Sequence, residues 1–199
     1  MPAAATTLKA VAREAAGCTL CPLYRNATQT VFGEGAARAT LMLVGEQPGD
    51  QEDLQGHPFI GPAGKLLARA LEAAGIPKEQ TFVSNAVKHF KFELRGKRRI
   101  HKSPTQREIA ACHHWLEDEI ALVQPTALVA LGATAARSLL GRAVPVTAER
   151  GRWLPRPDGR EVLVTLHPSA LLRVDSEDRE AAFEAFVADL RQAQRLFRR

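Results

Sequence analysis

Four short apolar runs, each ending in a polar segment, constrain this chain more than any other feature. They are "ATLMLVGE" (39–46), "TFVSNAV" (81–87), "TALVALG" (126–132) and "EVLVTLHPS" (161–169). They lack the in-out alternation of a half-exposed strand and read as strands buried on both faces, as in a parallel sheet between two helical layers. Helical patterns fall between them. Pro62 opens one in which Leu66, Leu67, Ala70, Leu71 and Ala74 form an apolar stripe closed by Gly75. Thr105 and Glu108 make a capping box for another, with Ile109, Cys112, Leu116, Ile120 and Val123 on one face. "ATAARSLLG" is a third, and Asp175 or Ser176 caps a last helix bearing Phe183, Phe186, Val187 and Leu190. A short helix over residues 6–16 precedes them all. The pattern predicts an α/β fold: a single domain over 1–199 with a central four-stranded parallel sheet flanked by helices.

Ligands of such sheets bind beyond the carboxyl ends of the strands. Here those ends are "GEQPGD", "SNAVKH" and "LHPSALLR". The first has the wrong glycine spacing for a dinucleotide fingerprint but fixes a tight loop that presents Glu46 and Gln47. Asn85 offers a donor and an acceptor together, matching a base edge that has both. Phe59, in the Gly- and Pro-rich loop 47–64, has the flat face to stack on a base, although core filling is the commoner fate of a loop Phe. His167 and Ser169 follow the fourth strand. Beyond them the pair Leu171–Leu172, beside Arg173, has the make-up of an apolar wedge that fills the gap left by a flipped nucleotide.

Charge points the same way. The net charge of +5 permits a polyanionic partner without demanding one, but its distribution is uneven. Residues 88–102 hold Lys88, Lys91, Arg95, Lys97, Arg98, Arg99 and Lys102 against Glu93 alone. Such a segment, with a basic loop over 93–105, fits nucleic acid best. Within it stands His101, although Arg or Lys would serve for phosphate contacts.

Cys18 and Cys21 have metal-ligand or redox spacing, and Cys112 lies far along the chain. With His89 they could hold zinc or an iron–sulfur cluster. His113 and His114 are rival fourth ligands, and a buried apolar cysteine is the plain alternative for Cys112. No apolar run is long enough to span a bilayer, and the first residues lack the layout of a secretion signal, so a cytoplasmic protein with no membrane partner is expected.

Taken together and in this order, the motifs resemble the uracil-DNA glycosylase superfamily, in particular the family 4-like enzymes with an iron–sulfur cluster. The resemblance runs from "CTLC" to the last helix and implies the uracil-DNA glycosylase fold. His89 in place of a fourth cysteine, and the "KRRIHK" insertion, are similar to the branch called UdgX, whose members bond covalently to the DNA they have acted on. On that resemblance Gly45, Glu46 and Gln47 belong to the first motif, Phe59 stacks on uracil and Asn85 reads its edge. His167, with Ser169 beside it, supports the leaving carbonyl oxygen. Arg98, Arg99, Lys102 and Arg173 contact DNA. Cys18, Cys21, His89 and Cys112 hold a 4Fe-4S cluster. His101 attacks C1′ of the sugar, with Glu46 orienting the attack. Uracil-containing DNA, single- or double-stranded, is the implied partner, free uracil the product and a monomer the expected state. Two rivals stand beside this reading: a conventional, multiple-turnover glycosylase, and a non-catalytic metal-stabilised nucleic-acid-binding protein.

Overall fold

The computed structural model describes residues 7–197; Thr6, the expected first residue of the opening helix, lies outside them. In chain order the elements are α1 (Leu8–Ala15), β1 (Glu34–Gly35), β2 (Leu41–Gly45), α2 (Asp50–Gln55), α3 (Pro62–Ala73), β3 (Thr81–Asn85), β4 (Phe92–Arg95), β5 (Arg98–His101) and α4 (Gln106–Val123). Then follow β6 (Ala127–Leu131), α5 (Ala133–Leu140), α6 (Val146–Glu149), β7 (Arg152–Pro155), β8 (Glu161–Thr165), α7 (Pro168–Leu171) and α8 (Arg179–Arg191).

The four apolar runs are the four parallel strands, β3-β2-β6-β8. All five residues of β2 and of β6 are buried, as unalternated sequence requires. Leu116 and Ile120 of α4 pack with Ala135, Ala136 and Leu139 of α5 on one face of the sheet. Leu67 and Leu71 of α3 pack with Phe186, Val187 and Leu190 of α8 on the other. The order reverses direction at β2, so the crevice between β2 and β6, at their carboxyl ends, is the place for a ligand. None of the helices among the described residues is long and apolar enough to cross a membrane.

Several expectations need correcting. Two short antiparallel strands, β1 and β7, cap the sheet and make it six-stranded. A helix, α2, interrupts the loop after β2. The last helix begins after Asp178, which makes no side-chain cap, rather than at Asp175 or Ser176. The basic segment is a two-stranded antiparallel hairpin outside the main sheet, turning at Gly96 with φ of +60°. The Thr105–Glu108 capping box forms as expected and starts α4 immediately after that hairpin.

Candidate active site

A cleft of about 820 Å³ opens at the carboxyl ends of β2, β3, β6 and β8. It brings together Glu46, Gln47, Phe59, Asn85, His101, Lys102, His167, Ser169 and Arg173, residues spread over 128 positions of sequence. Gly45 ends β2 on the cleft floor. A Cβ there would stand 2.5 Å from Asn85 Oδ1, 2.7 Å from Phe59 Cζ and 3.3 Å from His167 Nε2. Only glycine lets these three side chains meet.

Asn85 is buried, and its Oδ1 has no hydrogen-bond partner. A buried acceptor left open faces a donor still to come. Phe59 stands at the same spot with φ of +54°, a strained conformation for a bulky residue, and its ring lies 6.2 Å from that of His167. The loop carrying it is held by the Gly61 amide, which donates to Glu52 Oε1 at 2.9 Å.

His167 has a readable tautomer. The backbone amide of Ser169 donates to Nδ1 at 3.2 Å, so Nδ1 carries the lone pair and Nε2 the proton of the neutral ring. Burial lowers the imidazole to about 4, against the pull of Glu46 and with help from His101 and Arg173. His167 is therefore a neutral N–H donor at pH 7. Of the expected leucine wedge only Leu172 protrudes, 43% exposed; Leu171 is sunk in the core.

The hairpin is attached by side chains. The carboxamide of Gln47 donates to the carbonyls of Lys91 (3.1 Å) and Lys102 (3.0 Å) and accepts from the Lys91 amide (3.1 Å), which joins the roots of β4 and β5. Gln47 thus ties the hairpin to the loop after β2 while also lining the cleft. Arg99, expected on DNA, instead donates to Asp50 Oδ1 and Asp53 Oδ2, both at 2.6 Å, with its guanidinium over Phe90 and Phe92. Residues two apart on a strand share a face, so anchoring Arg99 on α2 also turns His101 inward. His101 Nε2 comes 3.2 Å from Glu46 Oε1, while 46% of its side chain remains open to solvent. Burial alone would raise Glu46, but His101 and Thr134 as hydrogen-bond donors and the charges of His101 and His167 outweigh it and hold the carboxyl below its ordinary value. Thr134, 2.5 Å from Glu46 Oε2, was not foreseen; a Thr in the first turn of a helix after a buried strand gives no signal of its partner.

The basic run is largely neutralised. Lys88 is wholly buried on Glu119, Lys91 pairs with Glu108, and Arg95 and Lys102 share Glu93. Lys97 and Arg98, beside the turn, enter no ion pair among the described residues.

On the far side of α4 the cysteines gather in a small apolar cluster. Cys112 Sγ accepts from the Lys88 amide at 3.2 Å and Cys18 Sγ from Trp115 Nε1 at 3.3 Å, while Cys21 packs alongside. Burial pushes the Cys112 thiol up to about 11, and burial raises Cys21 as well. His89 is buried, with Nε2 3.1 Å from Thr30 Oγ1. Thr30 donates its own proton to the Ala15 carbonyl, so His89 Nε2 is the donor and Nδ1 keeps a lone pair for a ligand. As placed, no group of three or more His, Cys, Asp or Glu among the described residues could hold a metal ion. The donor types nevertheless suit a cluster that takes one ligand at each iron.

The α/β sheet carries, in the cleft at its switch point, an aromatic ring, an open amide acceptor and a neutral imidazole, an arrangement chemically suited to a flat heterocycle. Comparison with known proteins gives the family. Residues 32–191 match the model of the uracil DNA glycosylase superfamily, and the chain belongs to it. It is 40% identical over 162 residues to a type-4 uracil-DNA glycosylase of Thermotoga maritima, covering 81% of each chain. It is 32% identical to one of Sulfurisphaera tokodaii, over 83% of this chain and 76% of that one. A type-5 uracil-DNA glycosylase of Thermus thermophilus is 30% identical over 83% of this chain and 80% of its own.

Proposed function

We propose that this uracil-DNA glycosylase releases uracil and ends bonded to the DNA through His101. The observation that carries the reading is the imidazole of His101 at the cleft, 3.2 Å from a carboxylate held ionised. A nucleotide flipped into the cleft stacks on Phe59. Asn85 Oδ1 accepts from N3–H of uracil while its amide donates to O4. Cytosine presents the opposite pattern and is rejected. As the C1′–N1 bond breaks, its electron pair leaves with the base, and the Nε2 proton of His167 supports the charge growing on the base oxygen.

The vacated C1′ is electron-poor. His101, with one ring nitrogen on Glu46, offers the lone pair of the other, already in place. The new N–C1′ bond makes the ring cationic; its remaining N–H, hydrogen-bonded to Glu46, then gives up its proton to solvent. The neutral adduct could leave only by expelling imidazolate, a very poor leaving group, which explains persistence. Arg98 and Arg173 serve DNA phosphates, and Leu172 enters the gap left by the flipped base. Cys18, Cys21, His89 and Cys112 would hold a 4Fe-4S cluster, which supplies a rigid cross-link between the N-terminal segment and α4 and takes no part in bond cleavage. The protein acts as a monomer on single- or double-stranded DNA.

Denaturing electrophoresis after mixing with uracil-containing single-stranded DNA should give a protein–DNA band. Free DNA with an abasic site instead would return the reading to a conventional glycosylase. His101→Ser should make room for water and release uracil with turnover; a variant that neither bonds DNA nor frees uracil would show the role of His101 to be misassigned. Brown protein with broad visible absorption supports the cluster, whereas colourless protein containing zinc refutes it.

A further inference from the structure

Glu46 is gripped from two elements that are far apart in sequence. His101, at the end of β5, meets Oε1, and Thr134, in the first turn of α5, meets Oε2 at 2.5 Å. The Ser103 hydroxyl lies farther off, 3.5 Å from Oε1. A hydroxyl has one proton, and an ionised carboxylate has none to return, so Thr134 must be the donor. With Oε2 satisfied and the carboxylate plane fixed, Oε1 is aimed at the imidazole. An acceptor aimed at one ring nitrogen holds the proton on that nitrogen and leaves the other one bare. The same logic orients the base in hydrolase triads through a third residue. Here the grip comes from a helix rooted in the main sheet, while the imidazole comes from the hairpin. The carboxylate is therefore the joint between them.

Building on the covalent reading above, we propose that Thr134 is a positioning residue: its hydroxyl fixes Glu46 so that the N–H of His101 is held toward the carboxylate and the other ring nitrogen faces the sugar. The other charged groups of the cleft do not compete for this task. Asp50 is taken by Arg99, Glu52 by the Gly61 amide and Lys102 by Glu93, while the half-buried His167 acts on Glu46 only through its field and Arg173 bears on His167 instead.

The test compares Thr134→Val, which keeps the shape and loses the donor, with Thr134→Ser, which keeps the donor. Capture of uracil-DNA is followed in single-turnover experiments from about pH 3 to 8, a range that spans the lowered titration of Glu46, with thermal melting to check that each variant is folded at each pH. Glu46 must be ionised to accept from His101, so capture is lost as the pH falls through its titration. Removing a donor makes ionisation harder and moves that acid limb to higher pH. Thr134→Val should capture DNA about tenfold more slowly at pH 7 with the limb displaced upward. Thr134→Ser should follow the parent protein. Thr134→Val that matches the parent overturns the proposal. So does a slower reaction with an unmoved limb, which would leave Thr134 a packing role only. If the parent protein frees uracil without bonding DNA, the covalent reading alone falls. The same limb is then measured in uracil release, where Glu46 would orient water, and its movement or constancy decides for or against Thr134.

Discussion

The two walls of the cleft are built by different means. On one side, Asn85 ends a strand of the main sheet and is backed by a sealed polar network. Lys88 Nζ donates to the Asn85 carbonyl, Ser84 Oγ and Glu119 Oε2, each at 2.7 Å, and the Gly33 amide closes the other carboxylate oxygen at 2.7 Å. On the other side, His101 sits on a hairpin that shares no strand pairing with that sheet and is tied down by Gln47 and by Arg99 on α2. The wall that carries Asn85 is inseparable from the fold, whereas the wall that carries His101 is fastened to it. Damage to the first should appear as lost stability, and damage to the second as lost chemistry in a protein that stays folded.

The largest break is Lys88→Ala, which strands the Glu119 carboxylate in the interior and should cost about 3–5 kcal/mol in urea unfolding. Replacing both partners, Lys88→Met with Glu119→Leu, should restore most of that stability while loosening discrimination between uracil and cytosine, since nothing then holds the Asn85 carbonyl.

Next comes acid. His167 is half-buried as the neutral ring with its titration lowered to about 4, so the folded state refuses a proton that the unfolded chain takes up near 6.5. Stability is complete above that pH and falls as the pH drops from about 6.5 to 4, by about 3 kcal/mol from this group. The pH dependence of melting should be shallower in His167→Asn by a similar amount.

Arg99→Ala tests the fastened wall. It should lower stability by about 2–3 kcal/mol, less than Lys88→Ala because the buried Asp53 carboxylate keeps the Thr28 amide, and slow covalent capture by at least about tenfold in single-turnover assays, because a freed hairpin no longer holds the imidazole in place. The smallest effect belongs to Arg98→Ala. It should leave melting unchanged, weaken DNA binding alike for uracil and thymine, and reduce the salt dependence by about one phosphate contact.

The same division explains what could be read from sequence. The four parallel strands stood out because residues such as Leu41–Val44 and Ala127–Leu131 are apolar without alternation, and the capping box announced α4. The strand ends named Glu46, Asn85 and His167 for a topological reason. The hairpin was harder to see: in "FELRGKRRIH" the Gly96–Lys97 turn pair sits among Arg95, Arg98 and Arg99, so the run reads as a basic loop until α2 supplies Asp50 and Asp53. Counting charges along residues 88–102 likewise misjudged Lys88 and Arg99. Their carboxylate partners, Glu119 and the Asp50–Asp53 pair, lie 31 or more residues away. Local sequence shows a cation but not whether it is spent inside the protein.

A hairpin that borrows no rung from its host sheet can be gained or lost without re-registering a single strand. Its requirements are few: an amide at position 47, carboxylates at 50 and 53, and ten residues of ribbon. Such a mount is portable, and a relative given those few residues would gain the same second wall to its cleft.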